Sequence, residues 1–198
     1  IPMDGDGEDR PEEIENFVEN INFNPNKTIV GKRVKRTEKL IFKICYKIHK
    51  ALTFLSTGQS IKFGNYTCLP KSTVEKMINE KATWSSFSGA LQKVEKDKVE
   101  VPSERGVRYF GPSKMSFLNL IKHSLSIISV FKFNVLIRSV LFLVVYLFLI
   151  SENISNVTLI PFYLVILLNI LTLYFSNRES IEALNYSLDN ISAVDQIK

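Results

Sequence analysis

Two long apolar stretches dominate the C-terminal half of the chain. Residues 133–150 contain Arg138 as their only charge, and residues 157–176 contain no charge at all. A helix rises 1.5 Å per residue, so about 20 apolar residues cross the hydrocarbon core of a bilayer. The connection between the two stretches is only long enough for a tight loop. The pattern therefore predicts a transmembrane helical hairpin over residues 133–176.

The segment before the hairpin has a different periodicity. Between Ser116 and Phe131, polar side chains recur about every third residue, which makes one narrow polar stripe on a wide apolar helix. Lys114 and Lys132 lie at the ends of this segment. Such a helix suits the boundary between membrane and water, so residues 111–132 are predicted to form an interfacial amphipathic helix.

The N-terminal part of the chain alternates helical and strand patterns, as α/β proteins do. We therefore predict an α/β domain over residues 1–110 and a tail over residues 177–198. The predicted helices cover residues 11–20, 38–56, 71–79 and 84–93, and the predicted strands cover residues 28–31, 61–69 and 98–101.

Charge is distributed as unevenly as hydrophobicity. Residues 4–19 hold eight acids and one base, residues 27–50 hold nine bases and one acid, and the 198-residue chain has a net charge of +5. Basic residues also flank the predicted hairpin on both sides, whereas its loop contains only Glu152. The positive-inside rule then predicts a multi-pass membrane protein whose α/β domain and C-terminus are cytoplasmic.

The alternative is that residues 133–176 form a buried helical hairpin of a soluble protein. A chain of 198 residues offers little other surface to cover such a hairpin. The membrane interpretation is therefore favoured, and it also weakens a third possibility, that the basic residues 27–50 bind nucleic acid.

Composition excludes several classes of protein. With 45% hydrophobic residues the chain is neither collagen-like nor wholly disordered. Its two cysteines, Cys45 and Cys68, cannot build a disulfide framework or a four-cysteine zinc site. With only two histidines, His49 and His123, a histidine metal site or a Ser-His-Asp triad is not expected.

The candidate chemistry lies at the acidic start of the chain. Asp4 and Asp6 straddle a glycine and are followed by Glu8 and Asp9. Carboxylates spaced by two at a strand end can share a hard cation, and Mg²⁺ or Mn²⁺ prefers one or two carboxylates together with phosphate oxygens. A solvated acidic turn remains an alternative. A calcium loop is disfavoured because Asp9 occupies the position where that loop needs glycine.

Four motifs follow one another along the chain: MDGDGEDRPEE at 3–13, IVGKR at 29–33, KFGNYTCLP at 62–70 and RGVRYFGPSK at 105–114. In this order, and followed by apolar helices, they resemble the family 2 glycosyltransferases of the GT-A type, in particular those like dolichol-phosphate mannose synthase. The resemblance implies that residues 1–110 are the acceptor-side half of a Rossmann-like GT-A domain. The nucleotide-binding half would then precede this sequence.

The resemblance also implies an activity. The enzyme would be membrane-anchored and would move a sugar from a nucleotide-sugar donor to polyprenyl phosphate or a glycan. The displacement would be assisted by Mg²⁺ or Mn²⁺ and would invert the anomeric carbon. Nucleic acid is not an expected partner, and the oligomeric state is left open.

The resemblance assigns roles to individual residues. Asp4 and Asp6 would be catalytic and, with Glu8, would bind the metal. Asn65 lies in the acceptor-side strand, where the family often has an acid that serves as a base. The residues implied to bind the donor diphosphate or the acceptor phosphate are Arg33, Arg105, Arg108, Ser113 and Lys114.

Asn65 bears on the identity of the sugar acceptor, because its side chain cannot act as a base. A lipid phosphate has a second pKa of about 6 and is already an anion at pH 7, so it needs no base, whereas a sugar hydroxyl does. The sequence thus favours polyprenyl phosphate. Two further alternatives stay open: the basic residues only anchor anionic lipid, or the chain is a non-catalytic membrane-anchored fragment or partner subunit.

Overall fold

A computed structural model describes residues 1–34, 40–111 and 116–191. The described part is a mixed α/β structure, which confirms the α/β part of the predicted fold class, whereas the GT-A assignment stays a prediction. Its strands are β1 (Thr28–Arg33), β2 (Phe63–Cys68) and β3 (Lys98–Ser103). Its helices are α1 (Ile14–Phe23), α2 (Leu40–Thr57), α3 (Lys71–Ile78), α4 (Ala82–Ser85), α5 (Phe87–Val94), α6 (Phe117–Ser129), α7 (Lys132–Ile150), α8 (Ile160–Ser176) and α9 (Ile181–Tyr186).

The three strands form one small sheet in the order β2-β1-β3. Strands β1 and β3 are parallel and pair from Thr28 opposite Lys98 to Arg33 opposite Ser103. Strand β2 runs antiparallel to β1, with Phe63 opposite Lys32. The ends of β1 and β3 and the start of β2 therefore lie at one edge of the sheet, which we call the site edge.

The two faces of the sheet are covered by different helices. On one face Phe17 of α1 is fully buried against Ile29, Tyr66 and Val101. Burying such side chains contributes about 1.5–3 kcal/mol each, so the apolar face of α1 is what holds it on the sheet.

On the other face, Val30 packs with Met77 of α3 and Leu91 of α5. The same cluster includes Val130 and Phe131 at the junction of α6 and α7, so α5 lies between the sheet and the C-terminal helices. This shared core fixes the C-terminal helices to the α/β part.

The predicted helix over residues 84–93 is two helices. Ser86 has an extended backbone (φ −158°) and separates α4 from α5. Its Oγ accepts a hydrogen bond from the amide of Gly89 at 3.2 Å, which caps the start of α5. The other predicted helices and strands are confirmed where the structure describes them, with ends that differ by a few residues. Residues 38–39 and 112–115, which belong to the predicted helices over 38–56 and 111–132, lie outside the described residues.

Helices α2, α6, α7 and α8 pack against one another. Their inward side chains include small polar ones, whereas large aliphatic side chains such as Leu141 and Leu167 are exposed. Small polar side chains between helices and apolar side chains around them are typical of helices packed in lipid. The buried polar residues of this four-helix group are Thr53, Ser56, Thr57, Ser126, Ser129, Ser139, Thr172 and Ser176.

One helix in the described part of the chain, α7 (19 residues), is long and apolar enough to cross a membrane. Helix α8 is apolar but has 17 residues. The two helices contact each other, and the Tyr146 hydroxyl at the end of α7 donates to the carbonyl of Thr158 before α8 at 2.6 Å. A two-helix transmembrane hairpin therefore stays a prediction.

The core of the sheet supports a stability prediction. Leu91 is fully buried between the sheet and α6, so Leu91→Ala should lower the free energy of unfolding by about 2–5 kcal/mol. Ile78→Ala, at a side chain that is 56% exposed, should cost far less. Chemical unfolding in detergent measures both. Equal losses would show that α5 is not part of the core.

Candidate functional site

The acidic residues and the arginines that sequence analysis singled out meet at the site edge. Residues 4–10 (the acidic loop) lie against residues 104–109 (the arginine segment), which directly follow β3. The two segments are joined through their backbones. The amide of Gly106 donates to the carbonyl of Glu8, and the amide of Tyr109 donates to the carbonyl of Asp6, both at 2.9 Å.

Glycines allow this close approach. Gly7 has φ +88°, and a Cβ there would lie 2.9 Å from the ring of Tyr109. A Cβ on Gly106 would clash with the carbonyl oxygen of Gly7. Side chains at either position would separate the segments, so glycine at positions 7 and 106 is needed for the contact.

The carboxylates of the acidic loop bind the guanidinium groups of the arginine segment. Glu8 contacts Arg105 through one carboxylate oxygen and accepts from Nε of Arg108 at 2.7 Å through the other. Arg108 Nη1 also lies 2.9 Å from Oδ2 of Asp6. Arg105 and Arg108 are mostly buried, and burial, followed by the charge of Arg108, lowers the pKa of Arg105. Charged hydrogen bonds of this kind are roughly twice as strong as neutral ones.

Asp9 joins a third arginine to the cluster. Its side chain is 5% exposed, and its Oδ1 lies 3.7 Å from Nη2 of Arg33 at the end of β1. Its Oδ2 accepts from the amide of Asp4 at 3.1 Å. Burial raises the pKa of Asp9, and the charge of Asp4 raises it further, against the lowering effects of that hydrogen bond and of Arg33. The cluster therefore brings Arg33, Arg105 and Arg108 to one place.

Tyr66 of β2 fixes the end of the acidic loop. Its hydroxyl donates to the carbonyl of Arg10 at 2.6 Å, and its ring lies 4.6 Å from that of Phe17. Burial raises the pKa of Tyr66 to about 12, with a further contribution from the charges of Glu13, Asp9 and Glu12. Neither Asp9 nor Tyr66 was assigned a role from the sequence, because only the fold reveals their burial and contacts.

Asn65 is exposed in β2, near the site edge where that strand begins. Successive side chains of a strand alternate between the two faces, so the Asn65 side chain lies on the face of the sheet opposite to that of Tyr66. Ser113 and Lys114, which were predicted to bind phosphate, lie outside the described residues, so their role stays a prediction.

The arrangement does not form the predicted three-carboxylate metal site. Both oxygens of Glu8 and Oδ2 of Asp6 are bound by arginines, and Oδ1 of Asp6 accepts from the amide of Glu8 at 3.0 Å. Within residues 1–34, 40–111 and 116–191, no three or more His, Cys, Asp or Glu side chains converge on a position for a metal ion. Mg²⁺ or Mn²⁺ at Asp4 and Asp6 stays a prediction from the motif.

Comparisons with protein-family models, with curated proteins and with solved structures found no match.

The pairing within the arginine cluster predicts that substituting Glu8 lowers the free energy of unfolding much more than substituting Glu12. Glu8→Ala leaves two mostly buried guanidinium groups without that partner and should lower the free energy of unfolding by about 1–3 kcal/mol. Glu12→Ala removes a pair with Arg10 at a glutamate that is 72% exposed and should cost at most about 0.5 kcal/mol. Urea unfolding compares them, and equal effects would contradict the described pairing.

The raised pKa of Tyr66 predicts a dependence of stability on alkaline pH. A group whose pKa is higher in the folded state stabilises the fold below its unfolded pKa, here 10.0, and loses that contribution as pH approaches about 12. Tyr66→Phe should therefore be less stable than the parent by about 1 kcal/mol near neutral pH. The difference should shrink above pH 10.

Stability curves measured across that pH range test this prediction. Tyr186→Phe, at an exposed tyrosine, serves as the control and should differ from the parent little at any pH. A pH-independent difference between the parent and Tyr66→Phe would show that the hydroxyl of Tyr66 titrates as it does in the unfolded chain.

Proposed function

We propose that this chain is the acceptor-side part of a membrane-anchored, inverting glycosyltransferase of the GT-A type in family 2. It would transfer a sugar from a nucleotide-sugar donor to polyprenyl phosphate. The supporting observation is that the acidic loop meets Arg33, Arg105 and Arg108 at the carboxyl ends of two parallel strands. Open α/β sheets bind their ligands at that edge.

Arginine clusters suit phosphate chemistry. The guanidinium group is planar, stays charged and presents paired donors that match phosphate oxygens. Carboxylate oxygens of Glu8, Asp6 and Asp9 now accept from or face these groups. Phosphate oxygens present the same kind of acceptor. A donor diphosphate or a lipid phosphate can therefore take the place of a carboxylate at the arginines.

The absence of an acid at Asn65 fits a phosphate acceptor. A polyprenyl phosphate is anionic at pH 7 because its second pKa is about 6, so its oxygen attacks without losing a proton to the protein. That oxygen would form the new bond to the anomeric carbon as the bond to the nucleotide diphosphate breaks on the opposite face. This displacement inverts the configuration at that carbon.

The helical part supports the membrane anchor. The arginine segment leads through residues 110–116 into α6, and α6 contacts α7 and α8, whose aliphatic side chains are exposed. We propose that α6 lies at the interface, that α7 and α8 form a transmembrane hairpin, and that both ends of the hairpin are cytoplasmic. A lipid phosphate would then arrive at the level of Arg105 and Arg108.

Mg²⁺ or Mn²⁺ remains part of the proposal through Asp4 and Asp6 alone. When bound, the cation would neutralise charge on the departing diphosphate. Arg108 holds Oδ2 of Asp6 in the present arrangement, so this role of Asp6 requires that contact to be given up.

One observation favours a second candidate, a non-catalytic membrane-anchored partner subunit. Glu8 binds both Arg105 and Arg108, so much of the charge of the cluster is already neutralised within the chain. A purely structural cluster would show the same pairing.

A sugar-transfer assay on the complete polypeptide that carries this sequence distinguishes the two candidate functions. The assay combines membranes, nucleotide sugars, undecaprenyl phosphate and Mn²⁺, and follows the glycolipid product. Asp4→Asn with Asp6→Asn should lower transfer by about 100-fold, because electrostatic stabilisation of the departing charge is lost. The control, Glu12→Gln with Glu15→Gln, should keep the parent rate. Full activity of the aspartate variant would overturn the proposed mechanism, and no transfer from any donor would favour the partner subunit.

A further inference from the structure

Helix α2 buries polar side chains and exposes apolar ones, which is the reverse of a helix at the surface of a water-soluble domain. Thr53 and Thr57 are almost fully buried against the rest of the protein. Ile48 and Leu55 are 62% and 68% exposed. In water the apolar face of an amphipathic helix turns towards the core, so this orientation requires an apolar environment outside the protein.

The exposed apolar side chains of α2 form one stripe. Ile44, Ile48, Leu52 and Leu55 follow one another at intervals of four, four and three residues, which places them on one side of a helix. All four are exposed. The sequence predicted this periodicity, but it did not show that the stripe faces away from the protein.

The end of α2 is fixed to the start of α7. Nδ2 of Asn134 donates to the carbonyl of Thr57, and Nη1 of Arg138 donates to the carbonyl of Leu55, both at 3.2 Å. Gly58 has φ +76°, and a Cβ there would lie 2.9 Å from Nη2 of Arg138. Because these α7 residues lie in its first two turns, α2 ends at the level where α7 would enter the bilayer.

The charges of α2 suit an anionic lipid surface. The helix contains Lys43, Lys47 and Lys50 and no acidic residue. Basic residues beside an apolar stripe are typical of helices that lie in the interface, and each contributes about 1 kcal/mol near anionic lipid. Three lysines also make it unfavourable in free energy for the helix to cross the hydrocarbon core.

We propose that α2 lies in the lipid–water interface of an anionic bilayer, with Ile44, Ile48, Leu52 and Leu55 among the acyl chains. This rests on the membrane anchoring proposed above. The stripe then continues the exposed apolar surface of α7, which α2 contacts. Because α2 connects β1 to β2, both of which reach the site edge, lipid binding by α2 holds that edge close to the membrane surface.

Tryptophan quenching by lipids with brominated acyl chains tests the proposal. Trp84 is the only tryptophan in the chain, so Trp84→Phe gives a background without tryptophan. Ile48→Trp reports on α2, and Leu55→Trp gives an independent reading of the same stripe. Leu141→Trp on α7 and Ile78→Trp on α3 are controls at side chains that are also exposed. Each variant is reconstituted into phosphatidylcholine–phosphatidylglycerol vesicles with and without bromine.

The proposal expects the fluorescence of Ile48→Trp and Leu55→Trp to fall about twofold or more in brominated vesicles, because interfacial helices bury their apolar face about 5–10 Å deep. Leu141→Trp should also be quenched, and Ile78→Trp should be unchanged. If only Leu141→Trp is quenched, a protein surface or water covers α2 and the proposal is wrong, although the anchor stands. If Leu141→Trp is not quenched either, the membrane anchor fails as well. None of these outcomes depends on sugar transfer.

Discussion

The structure depends on one constraint: the outer surface of helices α2, α6, α7 and α8 is apolar. Helices α2, α6, α7 and α8 bury small polar side chains such as Thr57 and Ser129 together with apolar ones such as Ile128, while many of their leucines face outwards. Burial of apolar surface is worth about 25 cal/mol per Å², so water is a poor solvent for this group. The proposed lipid environment would cover this surface without rearranging any helix, and small side chains between helices are typical of helices packed in lipid. In the proposed membrane orientation the site edge would lie near the bilayer, because α2 follows β1 along the chain and α6 follows the arginine segment.

The site is held together by charge. The acidic loop and the arginine segment are about a hundred residues apart in sequence, yet Glu8 contacts Arg105 and Arg108, and Asp9 contacts Arg33. Glycines 7 and 106 make this approach sterically possible. The pairing brings three guanidinium groups together, and it also places arginines where a metal ion was predicted. The proposed enzyme must therefore exchange partners within the cluster when its substrates bind.

Local patterns in the sequence predicted most elements of the fold. The predicted helix over residues 71–79 and the predicted strand over residues 98–101 are confirmed. Both predictions rest on the spacing of apolar side chains within one short segment, which the sequence shows directly. The break at Ser86, where the backbone is extended and the side chain caps α5, was not predicted. Periodicity also predicted the apolar stripe of α2 but could not show which surface covers it. The sequence singled out Arg33, Arg105 and Arg108, which the fold brings together with the acidic loop, but it assigned no role to Tyr66 or Asp9, because their contacts come from burial by distant residues.

The most direct test of the account is whether the chain resides in lipid. The expressed protein is mixed with anionic vesicles and centrifuged upwards through a density gradient, and the floated fraction is then washed with alkaline carbonate. The account predicts that the protein floats with the vesicles and stays with them after the wash. A protein that remains in the aqueous phase as a monodisperse species without detergent would contradict it, because the apolar surface of α7 would then have to be covered by something other than lipid.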